Sequence, residues 1–172
     1  MTNTALFDGA VGAEGRRAFL ERLLSQYGSG GWIAGDGEAY RYYSEWYIGG
    51  YAGDWSAETP WCGCFLSWAV ARESEALDGD APRFADVELG TYWFRDAGRW
   101  KGSAGAYRPL PGDYIFFDLD GGNDPGHVGA VLFTEGDVLY TIEGNCGGRV
   151  EICRCRLDDA RIVGYGVLPW RT

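Results

Sequence analysis

Residues 127–146 read HVGAVLFTEGDVLYTIEGNC, and their reading decides the architecture. Short apolar runs lie on both sides of Thr134–Glu135–Gly136, the pattern of two strands joined by a tight turn. A three-residue loop at 134–136 pairs His127 with Glu143 and Gly129 with Thr141. Directly facing residues hold their Cβ atoms about 5 Å apart on one face. Asn145 follows Glu143 on that face, and Val128, Ala130, Leu132, Val138, Tyr140 and Ile142 take the other. A slip of one residue would send Glu143 across the sheet, so the register is a sharp expectation.

Working outward, three more runs after Pro109 complete the strand pattern. DYIFFD (113–118), RVEICRC (149–155) and IVGYGVL (162–168) flank the two strands just described, HVGAVLF (127–133) and DVLYTIE (137–143), giving five. The first half reads differently. Phe19, Leu20, Leu23, Leu24 and Tyr27 recur at helical spacing, and Gly28 supplies a stop. Residues 28–58 are rich in glycine and aromatics without a period and read as a long irregular segment. A second helix opens at TPWCGCFLSW (59–68), with Thr59 as N-cap and Pro60 as first helical residue. A shorter helix covers 86–97, capped by Asp86. Helices followed by antiparallel strands make the fold class α+β, with residues 1–12 a loose arm and 13–172 one domain.

Composition narrows the function. A formal charge of −10 argues against nucleic acid, which requires clustered Lys and Arg. No apolar run reaches membrane-spanning length, so no membrane insertion is expected. The N-terminus lacks a basic start followed by an apolar stretch, so synthesis in the cytoplasm without a signal peptide is expected, with action elsewhere after release or non-standard export. The 8 Trp, 11 Tyr and 28 Gly suit a β-rich protein with a carbohydrate-like or peptide-like ligand, although most such rings pack in cores and rims.

Five cysteines, Cys62, Cys64, Cys146, Cys153 and Cys155, include no CxxC pair and share the chain with one histidine. Structural zinc is therefore not expected, and free thiols are. With Thr59 as N-cap, Cys62 falls at the third helical position, where unpaired backbone N–H groups favour a thiolate. Cys64 points elsewhere around the axis. The helix alone leaves both thiols equally readable as small buried hydrophobes. A nucleophilic cysteine needs a base, and His127 is the one imidazole available. Facing Glu143, it has the acid that orients and stabilises an imidazolium.

PWCGCFLSW (60–68), PGDYIFFD (111–118), GHVGAVLF (126–133) and IEGNCG (142–147) together resemble the CHAP family, the cysteine, histidine-dependent amidohydrolases/peptidases. IVGYGVLPW (162–170) resembles standalone or phage-associated members from Gram-positive bacteria. The resemblance implies a papain-like α+β fold and cleavage of amide bonds in bacterial peptidoglycan. It implies Cys62 as nucleophile, His127 as base, and Glu143 with Asn145 as orienting groups. Cys64 becomes structural. Some phage relatives bind calcium through acidic residues before the nucleophile; only Asp54 and Glu58 occupy that stretch, so no metal and no cofactor is expected there, and Asp120 and Asp124 form a second acidic turn. Trp46, Tyr47, Trp55 and Trp61 are candidates for the substrate groove, and the protein is expected to act as a monomer. The rival readings are a non-catalytic wall- or glycan-binding module and an NlpC-like or transglutaminase-like cysteine enzyme. NlpC-like enzymes usually use a second histidine, which this chain lacks.

Overall fold

A computed structural model describes residues 13–27, 38–49, 60–122 and 124–172. The arm at 1–12, Trp55 and Thr59 lie outside the described residues. Four helices come first: α1 (Glu14–Gln26), α2 (Glu38–Ile48), α3 (Cys62–Ala71) and α4 (Val87–Asp96). Six strands follow: β1 (Trp100–Gly102), β2 (Tyr114–Phe117), β3 (His127–Glu135), β4 (Val138–Cys146), β5 (Arg149–Arg156) and β6 (Ile162–Gly166). They form one antiparallel sheet in the order β1-β6-β2-β3-β4-β5. The α+β class expected from the sequence is the class observed.

The helix at Glu38–Ile48 corrects the reading of 28–58 as irregular throughout. Its buried face carries Tyr43 and Ser44, flanked by half-buried Trp46, Tyr47 and Ile48, so aromatic rings with polar tips replace a clean aliphatic stripe. Tyr43 stacks on Trp61 at 5.5 Å between ring centres and meets Phe65 and Trp68 edge-on, which docks α2 on α3. Gly49, with a φ of +64°, ends the helix through its N–H to the Glu45 carbonyl. The sheet also has a sixth strand, β1, whose three residues are too few to show alternation.

Residues 61–70 are buried on every side, and a helix that is apolar all round must sit in the core. It packs on the face of the sheet carrying Tyr114, Phe116, Val128, Ala130, Leu132 and Ile142. Two glycines allow the approach. A Cβ on Gly144 would stand 2.8 Å from Phe65 Cβ, and one on Gly63 would stand 2.8 Å from the Ala85 carbonyl oxygen. A second, smaller cluster of Ile115, Phe117, Val131, Leu139, Ile162 and Tyr165 covers the opposite face. At α4, Asp86 accepts hydrogen bonds from the N–H groups of Glu88 and Leu89, the cap read from the sequence.

The hairpin register differs from expectation in an instructive way. Glu135 pairs with Val138 across a two-residue turn, Gly136–Asp137, with Gly136 at a φ of +58°. Carried on unchanged, that pairing would set Ala130 opposite Glu143 and put Glu143 among the helix-facing residues. A bulge between Val131 and Phe133 shifts the ladder by one, so Val131 pairs with Thr141 and Ala130 with Ile142. Glu143 thereby returns to the face of His127, as a diagonal neighbour and not the directly opposite residue expected.

Candidate active site

His127 opens β3 at the end of the sheet, and its buried ring is bonded on one side to Glu143. The distance from His127 Nε2 to Glu143 Oε2 is 2.8 Å. Glu143 is itself held, because Thr141 Oγ1 donates to its Oε1 at 2.6 Å. Its side chain lies across Gly129, where a Cβ would come within 2.6 Å of Glu143 Cγ. The Cys62 side chain lies near enough to act on the imidazole through hydrogen bonding and charge. Cys62, Glu143 and the single imidazole thus form a buried chain in which His127 is the middle member.

The electrostatics follow from these contacts. Burial acts most strongly on the imidazole and pushes its pKa down. The hydrogen bonds with Cys62 and Glu143, and the negative charge on both, outweigh it and raise the value to about 10. Burial likewise works against the Glu143 carboxylate, and the bonds from His127 and Thr141 with the imidazolium charge overcome it, so its pKa is lowered. Cys64 has the opposite fate. Burial dominates there and pushes the thiol up to about 12, leaving it uncharged at neutral pH.

The helix that carries both thiols starts later than the sequence suggested. Trp61, with φ −118° and ψ 14°, stands at the N-cap position, and Phe65 N–H is bonded to its carbonyl. Cys62 is therefore the first helical residue and not the third, among the backbone N–H groups that have no helical partner. The body of α3 packs on the sheet face opposite Glu143. An all-apolar helix takes the apolar face, and Cys62 meets the imidazole because both lie at the sheet end where β3 begins.

Asn145 lines the same cleft as His127 and Glu143, and Glu143 is the residue bonded to the imidazole. Its φ of +60° marks a bulge in β4, where the pairing with β5 slips between Glu143 and Cys146. The cleft has a volume of about 320 Å³ and is bordered also by Cys146, Cys153, Cys155, Arg154 and Arg161. A second cleft of about 590 Å³ lies on the other side of the strand start, between Pro60, Ala85–Val87 and Pro125–Gly126.

The aromatic candidates separate. Tyr47 lines the larger cleft. Trp46 is half-buried, with the Arg83 and Arg72 guanidinium groups 5.1 and 5.7 Å from its ring centre. Trp61 is 2% exposed and stacked in the core, which corrects its assignment to a groove: its ring fills the space between α2 and α3. Sequence reasoning set Gly129 and Thr141 as the pair next to His127 and Glu143, and both adjoin the acid. It missed Cys153, whose place beside Glu143 depends on the pairing of β4 with β5.

Gly129→Ala gives a direct measure of this packing. The added methyl is expected to displace Glu143 from the imidazole, so the ring, whose proton that carboxylate holds, titrates at lower pH. Circular dichroism and thermal melting check that the sheet survives, and an imidazole titration unchanged by NMR refutes the dependence on Gly129.

A CHAP domain model matches residues 52–145, more than half of the chain. The chain also resembles the crystal structure of Ly7917, with a TM-score of 0.54 at 18% identity over 90% of this chain. At that identity the likeness speaks for the fold alone, and the chain spans 62% of the length of that neighbour. No curated protein matches the sequence. With its α+β fold and its paired cysteine and histidine in view, the chain belongs to the CHAP family, whose members are cysteine- and histidine-dependent amidohydrolases and peptidases.

Proposed function

We propose that the protein is a peptidoglycan hydrolase that cuts an amide bond, either between muramic acid and L-alanine or within the stem peptide or cross-bridge, and that residues 13–172 act as one catalytic domain. The observation that carries this reading is the buried His127 ring, bonded to Glu143 Oε2 with the Cys62 thiol near enough to act on it. A solvated imidazole needs neither partner; one held between a thiol and a carboxylate is arranged for proton transfer in two directions.

In this mechanism the Cys62 thiolate attacks the amide carbonyl carbon. The N–H groups at the start of α3, including that of Cys62, donate hydrogen bonds to the carbonyl oxygen as negative charge develops on it. His127 protonates the departing amine as the tetrahedral intermediate collapses to a thioester. It then removes a proton from water, which attacks the thioester and frees Cys62. Glu143 is a positioning residue: it holds the ring and stabilises its charged form. Asn145 lines the cleft beside it and is a further polar contact for substrate or ring.

Purified peptidoglycan digested with the enzyme and analysed by mass spectrometry tests the reading and names the bond. Free muramic lactyl termini with released stem peptides indicate an amidase, and new amino termini inside the peptide indicate an endopeptidase. The absence of any new terminus, together with insensitivity to thiol reagents, favours the glycan-binding alternative. Burial of Trp61 already weakens that alternative, because the ring has no face left for a sugar.

EDTA separates this chemistry from calcium-dependent relatives. The thiolate, imidazole and carboxylate chain is complete in protein side chains. Activity is therefore expected to persist after EDTA treatment. Loss with EDTA and rescue by calcium would show a required site at the acidic positions.

A further inference from the structure

Four cysteines remain that the proposed chemistry does not use, and two of them adjoin its acid. Cys146 ends β4 and Cys153 lies on β5. Their sulfurs are 3.2 Å apart. With a Glu143 oxygen they form a set of three donor atoms, all within 4.8 Å of one another. Both thiols are half-buried and open onto the cleft of about 320 Å³ that also contains His127. We propose that Cys146, Cys153 and Glu143 form a binding site for a thiophilic divalent cation of the zinc type, whose occupancy switches the catalytic pair off by drawing Glu143 away from His127.

The donor chemistry and spacing favour a metal. Two thiolates and a carboxylate are a ligand set for borderline and soft divalent ions, with the fourth tetrahedral position open to water in the cleft. Two thiolates on a tetrahedral zinc, each about 2.3 Å from it, stand about 3.8 Å apart. The sulfurs need to separate by roughly half an ångström to reach that geometry, whereas a disulfide at about 2.05 Å requires more than an ångström of approach. Cys146 can make the adjustment because Gly147 and Gly148, with φ of +61° and +78°, turn the chain directly after it. Binding displaces the two thiol protons to solvent and forms two metal–sulfur bonds and one metal–oxygen bond, with no change in oxidation state. Three anionic ligands on a dication leave one negative charge, facing Arg154 and Arg161 on the cleft wall.

The regulatory half rests on the proposed function. Glu143 Oε2 bonds the imidazole and Oε1 accepts from Thr141. A metal bond to either oxygen lowers the negative charge available to His127 and pulls the carboxylate toward β5. The imidazolium loses the partner that holds it.

Cobalt titration of the Cys62→Ala protein under a thiol-free reductant tests the site without the nucleophile as a competing ligand. One equivalent is expected to give a thiolate-to-cobalt charge-transfer band and the visible bands of a tetrahedral ion, both bleached by zinc. Cys146→Ser and Cys153→Ser, each added to that background, weaken binding at least 10-fold, and Cys155→Ser leaves the spectrum in place. X-ray absorption of the zinc-loaded Cys62→Ala protein reads the same site without further substitution and is expected to show two sulfur ligands. No thiolate band at one equivalent, a band indifferent to Cys146→Ser, or a zinc shell with fewer than two sulfurs overturns the site. For the switch, zinc is expected to lower wall hydrolysis by the Cys62-containing enzyme at least 10-fold, reversibly with EDTA, with Cys146→Ser at least 10-fold less sensitive. Equal sensitivity of Cys146→Ser, or binding without inhibition, overturns the switch. An enzyme that hydrolyses nothing even when metal-free refutes the proposed function instead, and the cobalt spectra still report on the site.

Discussion

Cys62→Ala is expected to abolish peptidoglycan hydrolysis, a fall on the order of 10⁴-fold or more, while the protein keeps its fold. The thiol is fully buried at the first turn of α3, near enough to act on the imidazole. No other side chain at that position can form the thioester. Alanine fits the first turn of a helix without strain, so loss of activity reports on chemistry and not on packing. The companion variant sharpens the result. Cys64 is equally buried, yet burial keeps its thiol protonated. Cys64→Ala should keep most of the activity and lose about 1 kcal/mol of stability through the small void it leaves. Rates on purified walls and urea melts of both variants decide the matter. A dead Cys64→Ala beside an active Cys62→Ala reverses the assignment.

The contrast between these neighbours shows what a sequence can and cannot say about a site. Residue types and order paired His127 with Glu143, because one imidazole leaves one base; the helix start left Cys62 and Cys64 open, and the resemblance to the CHAP family pointed to Cys62. The strands were legible for a similar reason. Alternation over β3, β4 and β5 is a local property, and the boundaries observed differ from those read by a few residues. Register is not local. It depends on whether Glu135 belongs to the strand or the turn, and on a bulge at Leu132 that no residue type announces. The two departures together kept His127 and Glu143 on one face. The agreement in outcome therefore does not mean that the pairing was derived correctly. Helix α2 was illegible because Tyr43 and Trp46 bury rings that carry polar atoms, which blurs the apolar period. The Cys146–Cys153 approach was illegible because it spans the bulge at Asn145.

His127→Ala should remove turnover as completely as loss of the nucleophile, since in the proposed mechanism the only imidazole of the chain both protonates the amine and activates water. The finer test uses pH. The working form carries a protonated ring, and the pKa of that ring is raised from its ordinary 6.5 to about 10 by Cys62 and Glu143 acting against burial. A raised value means that the proton is retained through neutrality and lost only as pH climbs through about 10. The rate kcat/KM should accordingly stay high across neutral pH and fall on an alkaline limb near 10. Glu143→Gln removes the carboxylate charge and leaves an amide oxygen that can still accept from Nε2. Tautomer choice matters less when both ring nitrogens carry protons, so the expected loss at neutral pH is modest, about 10²-fold. The alkaline limb should move down by about one to three pH units, because burial now opposes a single anionic partner. A structural role for Glu143 would lower the rate at every pH and leave the limb in place. If kcat/KM of the Gln variant keeps both its neutral value and its alkaline limb, Glu143 has no part in holding the imidazolium, and the chain of three residues reduces to a cysteine and a histidine.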